Sequence, residues 1–342
     1  MGRNLPEQPP HITYLFGAGA SCNTMPLVKD LAARINEAKG FFDRSYTFGD
    51  QHRLIIRQGH EIQKQPVKNF ILEEFEELYK VSGKNATIDT YAKALWLKGD
   101  NSKLHKLRFF LALLFCIEQK RMGTDLRYKN FFVSLLEQET LSFPPNIKFL
   151  SWNYDLQMEA AYDEIANCGT DTAFAMFDQE HSHLPVDLFA SVKLNGTCYF
   201  RDKDNSNRGP LIDRPFDQVP SGTDLDVAMK YAFQHFMTNT PFKLTGLNLD
   251  FAWTRKRTNL EKIVNCFAQT EILVIIGYSL PFFNRETDRA IIRGMKNLRQ
   301  IYIQDPEAGA RAQSFLSILP GSQIPIEPIS QQRDQFFLPP DL

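Results

Sequence analysis

The chain has 342 residues, 43% hydrophobic and 23% charged, which fits one large core with insertions or two domains. Its 39 basic and 40 acidic side chains nearly cancel, so direct nucleic-acid binding is not indicated and neither is a membrane surface. The apolar runs are too short to span a bilayer, the opening Met1–Pro6 lacks an apolar signal stretch, and the five cysteines form no C-x-x-C pair, which argues against a zinc ribbon and makes a reduced, cytoplasmic compartment the expectation.

His11 to Phe16 reads as a buried strand running into Gly17-Ala18-Gly19-Ala20-Ser21. After Pro26, Leu27, Leu31, Ala32 and Ile35 recur at helical spacing, completing a strand, glycine turn and helix. Residues 37–145 read mainly as helix. Phe70, Leu72, Phe75, Leu78 and Tyr79 fit one face; further helices cover Leu104–Ile117 and Tyr128–Leu136, and Pro144-Pro145 closes the region. Ile147 to Trp152 is a second strand, ending in Asn153-Tyr154-Asp155, with a helix after it to Ala166. Ala190 to Leu194 is a third, ending in Asn195-Gly196-Thr197. Arg201 to Gly222 reads as a long loop, Asp224–Met237 and Leu260–Phe267 as helices. Glu271 to Ile276 is the clearest buried strand and leads into Gly277-Tyr278-Ser279-Leu280-Pro281. Thr287–Met295 is a helix, and Gln300–Ile303 a final strand before Asp305-Pro306.

Short buried strands alternating with helices predict an α/β fold, a Rossmann-like parallel sheet with a large helical insertion. The expected core is discontinuous, residues 1–36 and 146–320. Residues 37–145 form the helical insertion, 201–258 a second insertion of loop and helix, and 321–342 a C-terminal tail. Ligands of such sheets bind beyond the carboxyl ends of the strands. Every polar motif above falls at a predicted strand end.

Glycines in the first turn allow close backbone approach to a pyrophosphate. The pattern here is G-x-G-x-x-C, without the third glycine of the dinucleotide fingerprint, and an ordinary strand-to-helix turn fits it too. Asn153 and Asp155 suit ribose hydroxyls or a nicotinamide amide, while Asp155 equally suits a helix N-cap. Gly277 and Ser279 suit a phosphate or ribose loop or a plain turn. Asp305 suits an adenosine ribose or a turn opened with Pro306. The seven histidines read as surface or packed residues; His181 and His183 share one loop without a cysteine or carboxylate cluster nearby, and no metal is expected.

Taken together and in this order, the segments Phe16–Ser21, Met25-Pro26, Asn153–Asp155, Lys193–Thr197 and Gly277–Pro281 resemble the sirtuin-like NADases of bacterial anti-phage defence. The resemblance covers roughly residues 12–36, 146–200 and 259–306, and Ile88-Asp89-Thr90-Tyr91 looks like a further segment of these proteins. It implies a sirtuin-like fold in which Gly17, Ala18, Gly19, Ala20 and Ser21 face the NAD phosphates. Asn153, Asp155 and Asn195 would stand at the nicotinamide and its ribose, and Gly277, Ser279 and Asp305 would hold the adenosine half. The implied activity is NAD hydrolysis to nicotinamide and ADP-ribose, without a metal. Control by self-assembly as a homo-oligomer, or by a hexameric DNA-translocase-type ATPase partner, is implied as well. Two departures stand out. A deacylase of this family carries a zinc ribbon, which has no cysteines here. Asn195 stands where the family pattern has His, and an amide cannot serve as a general base. The competing expectation is a catalytically silent module that binds NAD or ADP-ribose, or scaffolds a partner ATPase; deacylation or ADP-ribosyl transfer is a third.

Overall fold

Successive side chains on a strand point to opposite faces. In the first strand Tyr14 and Phe16 therefore enter one core and Leu15 another, and all three are buried. The computed structural model describes residues 9–56, 60–85, 87–177, 191–198, 228–238, 249–251, 253 and 257–342 without 320, 332 and 333. The predicted loop 201–222, together with His181 and His183, lies outside the described residues. The strands in chain order are β1 (Ile12–Phe16), β2 (Arg53–Ile55), β3 (Glu61–Gln63), β4 (Ile147–Ser151), β5 (Ser191–Lys193), β6 (Ile272–Ile276), β7 (Gln300–Gln304) and β8 (Ile326–Ile329). Apart from the antiparallel hairpin β2–β3, they form one six-stranded, all-parallel sheet in the order β5-β4-β1-β6-β7-β8. The fold is α/β and Rossmann-like, as expected. The strand order reverses between β1 and β6, and such a switch point opens a crevice beyond the strand ends.

Helices cover both faces. The Tyr14/Phe16 face packs on α5 (Leu126–Leu135), α6 (Gln157–Ala166) and α7 (Thr170–Phe177), with Tyr14 and Phe131 rings edge to face at 4.7 Å. The Leu15 face packs on three helices, which we label α8 (Arg257–Cys266), α9 (Arg285–Gly294) and α10 (Ala308–Leu316). A third apolar cluster joins α1 (Leu31–Ser45), α2 (Lys64–Lys84), α3 (Ile88–Leu97) and α4 (Asn101–Met122) to Ala228–Ala232, Leu249 and Phe251. Helix α4 is buried nearly all round from Phe109 to Leu114, so it is the axle of this layer.

Three expectations need correction. Residues 321–342 are not a mere tail: β8 pairs with β7, and Phe336 packs into the sheet core 5.4 Å from the Phe16 ring. Residues 126–135 fall inside the predicted insertion, yet Tyr128, Phe131, Phe132 and Leu135 cover the sheet. The buried stripe of α2 is Val67, Ile71, Phe75 and Leu78; Tyr79, placed on that face by its spacing, is exposed.

Candidate functional site at the sheet switch point

A cleft of about 580 Å³ opens beyond the carboxyl ends of the strands, within the size range of small-molecule sites. Its floor comes from the sheet: Gly19 after β1, Asn153 and Asp155 after β4, Asn195 after β5, Gly277 and Ser279 after β6, and Asp305 after β7. Its roof comes from the helical layer, through Leu31, Phe115 and the Thr87–Asp89 entry to α3. The predicted positions thus line up across the sheet in the order Asn195, Asn153, Gly19, Gly277, Asp305. At about 4.8 Å per strand interval, that row is roughly 19 Å long.

The two glycine-bearing loops interlock at the centre of the row. Gly17 N donates to Ile276 O at 3.0 Å, and Gly19 N to Gly277 O at 2.8 Å. A Cβ on Gly277 would stand 2.4 Å from Ala20 N, and φ at Gly277 is +59°. Only glycine allows both the approach and the left-handed backbone. Three residues later Leu280 also has positive φ, +54°, with its side chain buried.

The first loop is divided between cleft and support. Ala18 and Gly19 line the cleft; Gly17, Ala20 and Ser21 are buried and turned into the support. The amides of Gly17, Gly19 and Ala20 are already engaged. Arg127 Nη2 donates to Ala20 O at 2.8 Å, and Ser21 Oγ shares a 3.0 Å hydrogen bond with Tyr128 OH. The cations that line the cleft are Lys29 and Arg311. Sequence reading passed over both, because a lysine or arginine in a helical stretch reads as solvated surface.

Asn153 donates through Nδ2 to Gly17 O at 2.9 Å and to Ser21 Oγ at 3.3 Å. The amide is thereby held with Oδ1 as its remaining acceptor, at the cleft floor. Asp155 faces two ways. It lines the cleft, and its Oδ1 accepts from Gln157 N at 3.1 Å at the start of α6. Burial raises its carboxyl above the ordinary range, partly offset by Lys193, whose Nζ donates to Asp155 O and to the buried Glu159. Asn195 Nδ2 donates to Trp152 O at 2.9 Å. Asp305 Oδ1 accepts from Glu307 N at 2.9 Å, closing the turn into α10, and lies 3.6 Å from Arg311 Nε. Ser279 is exposed at the cleft edge.

A support unseen in the sequence stands behind the floor. Trp152 and Tyr278 stack at 6.0 Å, and both donate to buried Asp288 of α9, from Nε1 at 3.0 Å and OH at 2.8 Å. Burial pushes the Asp288 carboxyl up to about 7. An unfolded Asp titrates near 3.9. The folded state therefore holds the proton more tightly, and the stability this gives is lost as pH rises from about 4 through 7. Asp288→Asn imitates the protonated form. We expect the variant to gain on the order of 2 kcal/mol relative to wild type between pH 5 and 8. Parallel urea melts at both pH values measure it; an unchanged difference would refute the assignment.

Among the described residues no group of three His, Cys, Asp or Glu side chains could hold a metal ion, and no helix is long and apolar enough to cross a membrane. No family model matches the chain, and no curated protein does. The geometry of the cleft therefore carries its interpretation.

Proposed function

We propose that the chain binds NAD across the switch-point cleft and hydrolyses it to nicotinamide and ADP-ribose. One observation carries this reading: the row of candidate residues across five strand ends, centred on interlocked glycine loops. A dinucleotide has a pyrophosphate in its middle and a nucleoside at each end. The row has Ala18 and Gly19 at its centre, where the first loop lines the cleft, and polar side chains on both flanks. Lys29 and Arg311 supply positive charge for the two phosphates. The β4–β5 flank, with Asn153, Asp155 and Asn195, suits the nicotinamide riboside, and Asp305 on the β7 flank suits the adenosine ribose. Depletion of NAD in anti-phage defence, with control by homo-oligomer formation or by a partner ATPase, extends the proposal on the strength of the sequence resemblance.

A silent module that binds NAD or ADP-ribose is the second reading, favoured by Asn195, which brings no imidazole to the floor. Binding and turnover together separate the two. NAD at 100 times its Kd stabilises the native state by about 2.7 kcal/mol, so a clear rise in Tm is expected at millimolar NAD. Nicotinamide release should be followed with and without a candidate ATPase. A Tm that moves with neither NAD nor ADP-ribose at millimolar concentration removes both readings; binding with no turnover under either condition leaves only the second.

A further inference from the structure

Among the described residues that line the cleft there is no imidazole. Its floor presents two amides, Asn153 and Asn195, and the Asp155 carboxylate is committed to the α6 N-terminus through Gln157. Another carboxylate on the cleft wall is Asp89, carried by the first turn of α3. It enters from the helical layer, opposite the sheet. Thr87 caps that helix: its Oγ1 accepts from Thr90 N at 3.1 Å, so the turn is held independently of Asp89. The Asp89 carboxylate makes no hydrogen bond or ion pair to any described residue. An acidic side chain without a partner at a half-buried place is costly, a cost that the N-terminal dipole of α3 offsets only in part.

We propose that Asp89 is the catalytic base of this cleft, taking the proton of the attacking water in place of the missing imidazole. The inference rests on the NAD reading above. In the step, the water oxygen bonds to C1′ of the nicotinamide ribose while the C1′–N bond breaks. Its electron pair goes to nicotinamide, Asp89 accepts one proton of the water, and that proton later passes to solvent. Atoms and charge balance as NAD plus water giving nicotinamide, ADP-ribose and a proton. Asn153 and Asn195 orient; they do not exchange protons.

The surroundings suit the role. Tyr154 and Tyr278 stand near enough for the Asp89 charge to raise their hydroxyls further above the usual range. Asp155, Asp305, Lys29 and Arg311 share the cleft, and Lys93 lies one turn further along α3. Loss of hydration pushes the Asp89 carboxyl up to about 6. A base with such a value is mostly ionised at neutral pH and still accepts a proton readily.

The test uses the full chain with NAD. Wild type should lose activity below about pH 6, since the base must be ionised. Asp89→Asn should lower kcat by roughly 100-fold to 10,000-fold, abolish that acid limb and leave the NAD-induced rise in Tm intact. Asp89→Glu should restore part of the rate, and formate should partly rescue Asp89→Ala, which a structural role would not produce. If wild type hydrolyses NAD while Asp89→Asn keeps both rate and acid limb, the assignment of Asp89 falls and the NAD reading stands. If wild type binds NAD without hydrolysis, the base assignment falls and the binding module remains. If wild type neither binds nor cleaves NAD, both fall together.

Discussion

Asn153→Ala is expected to lower NAD cleavage by about 100-fold to 1,000-fold, the usual cost of one positioned hydrogen-bonding group in a water-poor site. The side chain links two loops: its Nδ2 bonds the Gly17 carbonyl and the Ser21 hydroxyl, which fixes Oδ1 as the acceptor offered to the cleft. Truncation removes that acceptor and frees the glycine loop together. The loss should therefore appear in kcat more than in KM, with about 1 kcal/mol off folding stability from the broken hydrogen bonds. Steady-state kinetics with a parallel melt check both. An Asn153→Ala enzyme within threefold of wild type would remove Asn153 from the mechanism.

Gly277→Ala should be strongly destabilising. The added Cβ meets backbone on the opposing loop, 2.4 Å from both Ala20 N and Gly19 C, where no flexible side chain can yield. Its φ of +59° adds the strain of a left-handed alanine. Together these cost about 3 kcal/mol or more, equivalent for a chain of this length to a fall in Tm of roughly 4 °C or more. Any folded remainder should bind NAD weakly, because relief of the overlap separates the loops that form the cleft centre. Differential scanning calorimetry decides: a Tm within 2 °C of wild type would mean that the loops do not interlock as described.

Four of the six strands of the main sheet were legible because burial on both faces makes them short apolar runs: β1, β4, β6 and β7. Strand β5 ends at Lys193, one residue before the expected Leu194, and the expected start at Ala190 lies outside the described residues. Strand β8 was missed for a physical reason. It is an edge strand with Pro328 inside it and only half-buried ends, the place where proline is tolerated and the apolar signal fades. At the site, the polar residues at strand ends were legible because the topology obliges loops there to face a crevice. The division of the first loop was not. Whether Ser21 faces substrate or Tyr128 depends on a helix 107 positions away. Asp288 carries no signal in the sequence, and Asp89, although inside the Ile88–Tyr91 segment of the resemblance, carries no sign of a role, for a related reason. An acidic residue in the first turn of a helix reads as a favourable dipole partner, and only tertiary packing shows what it faces.

The strand order also governs when the cleft can exist. β1 and β6 are neighbours, yet His11 N and Glu271 Oε1, hydrogen-bonded at the base of the pair, are 260 positions apart. During synthesis at about 5–20 residues per second, the first glycine loop leaves the ribosome roughly 10–50 s before its partner loop is made. Until then β1 has no neighbour on its β6 side, and the centre of the cleft has one wall. A nascent chain that stops short of Gly277 carries Asn153, Asn195 and Asp89 but not the site they belong to. The two walls at the cleft centre, drawn from segments some 260 positions apart, can meet only when the sheet is nearly finished.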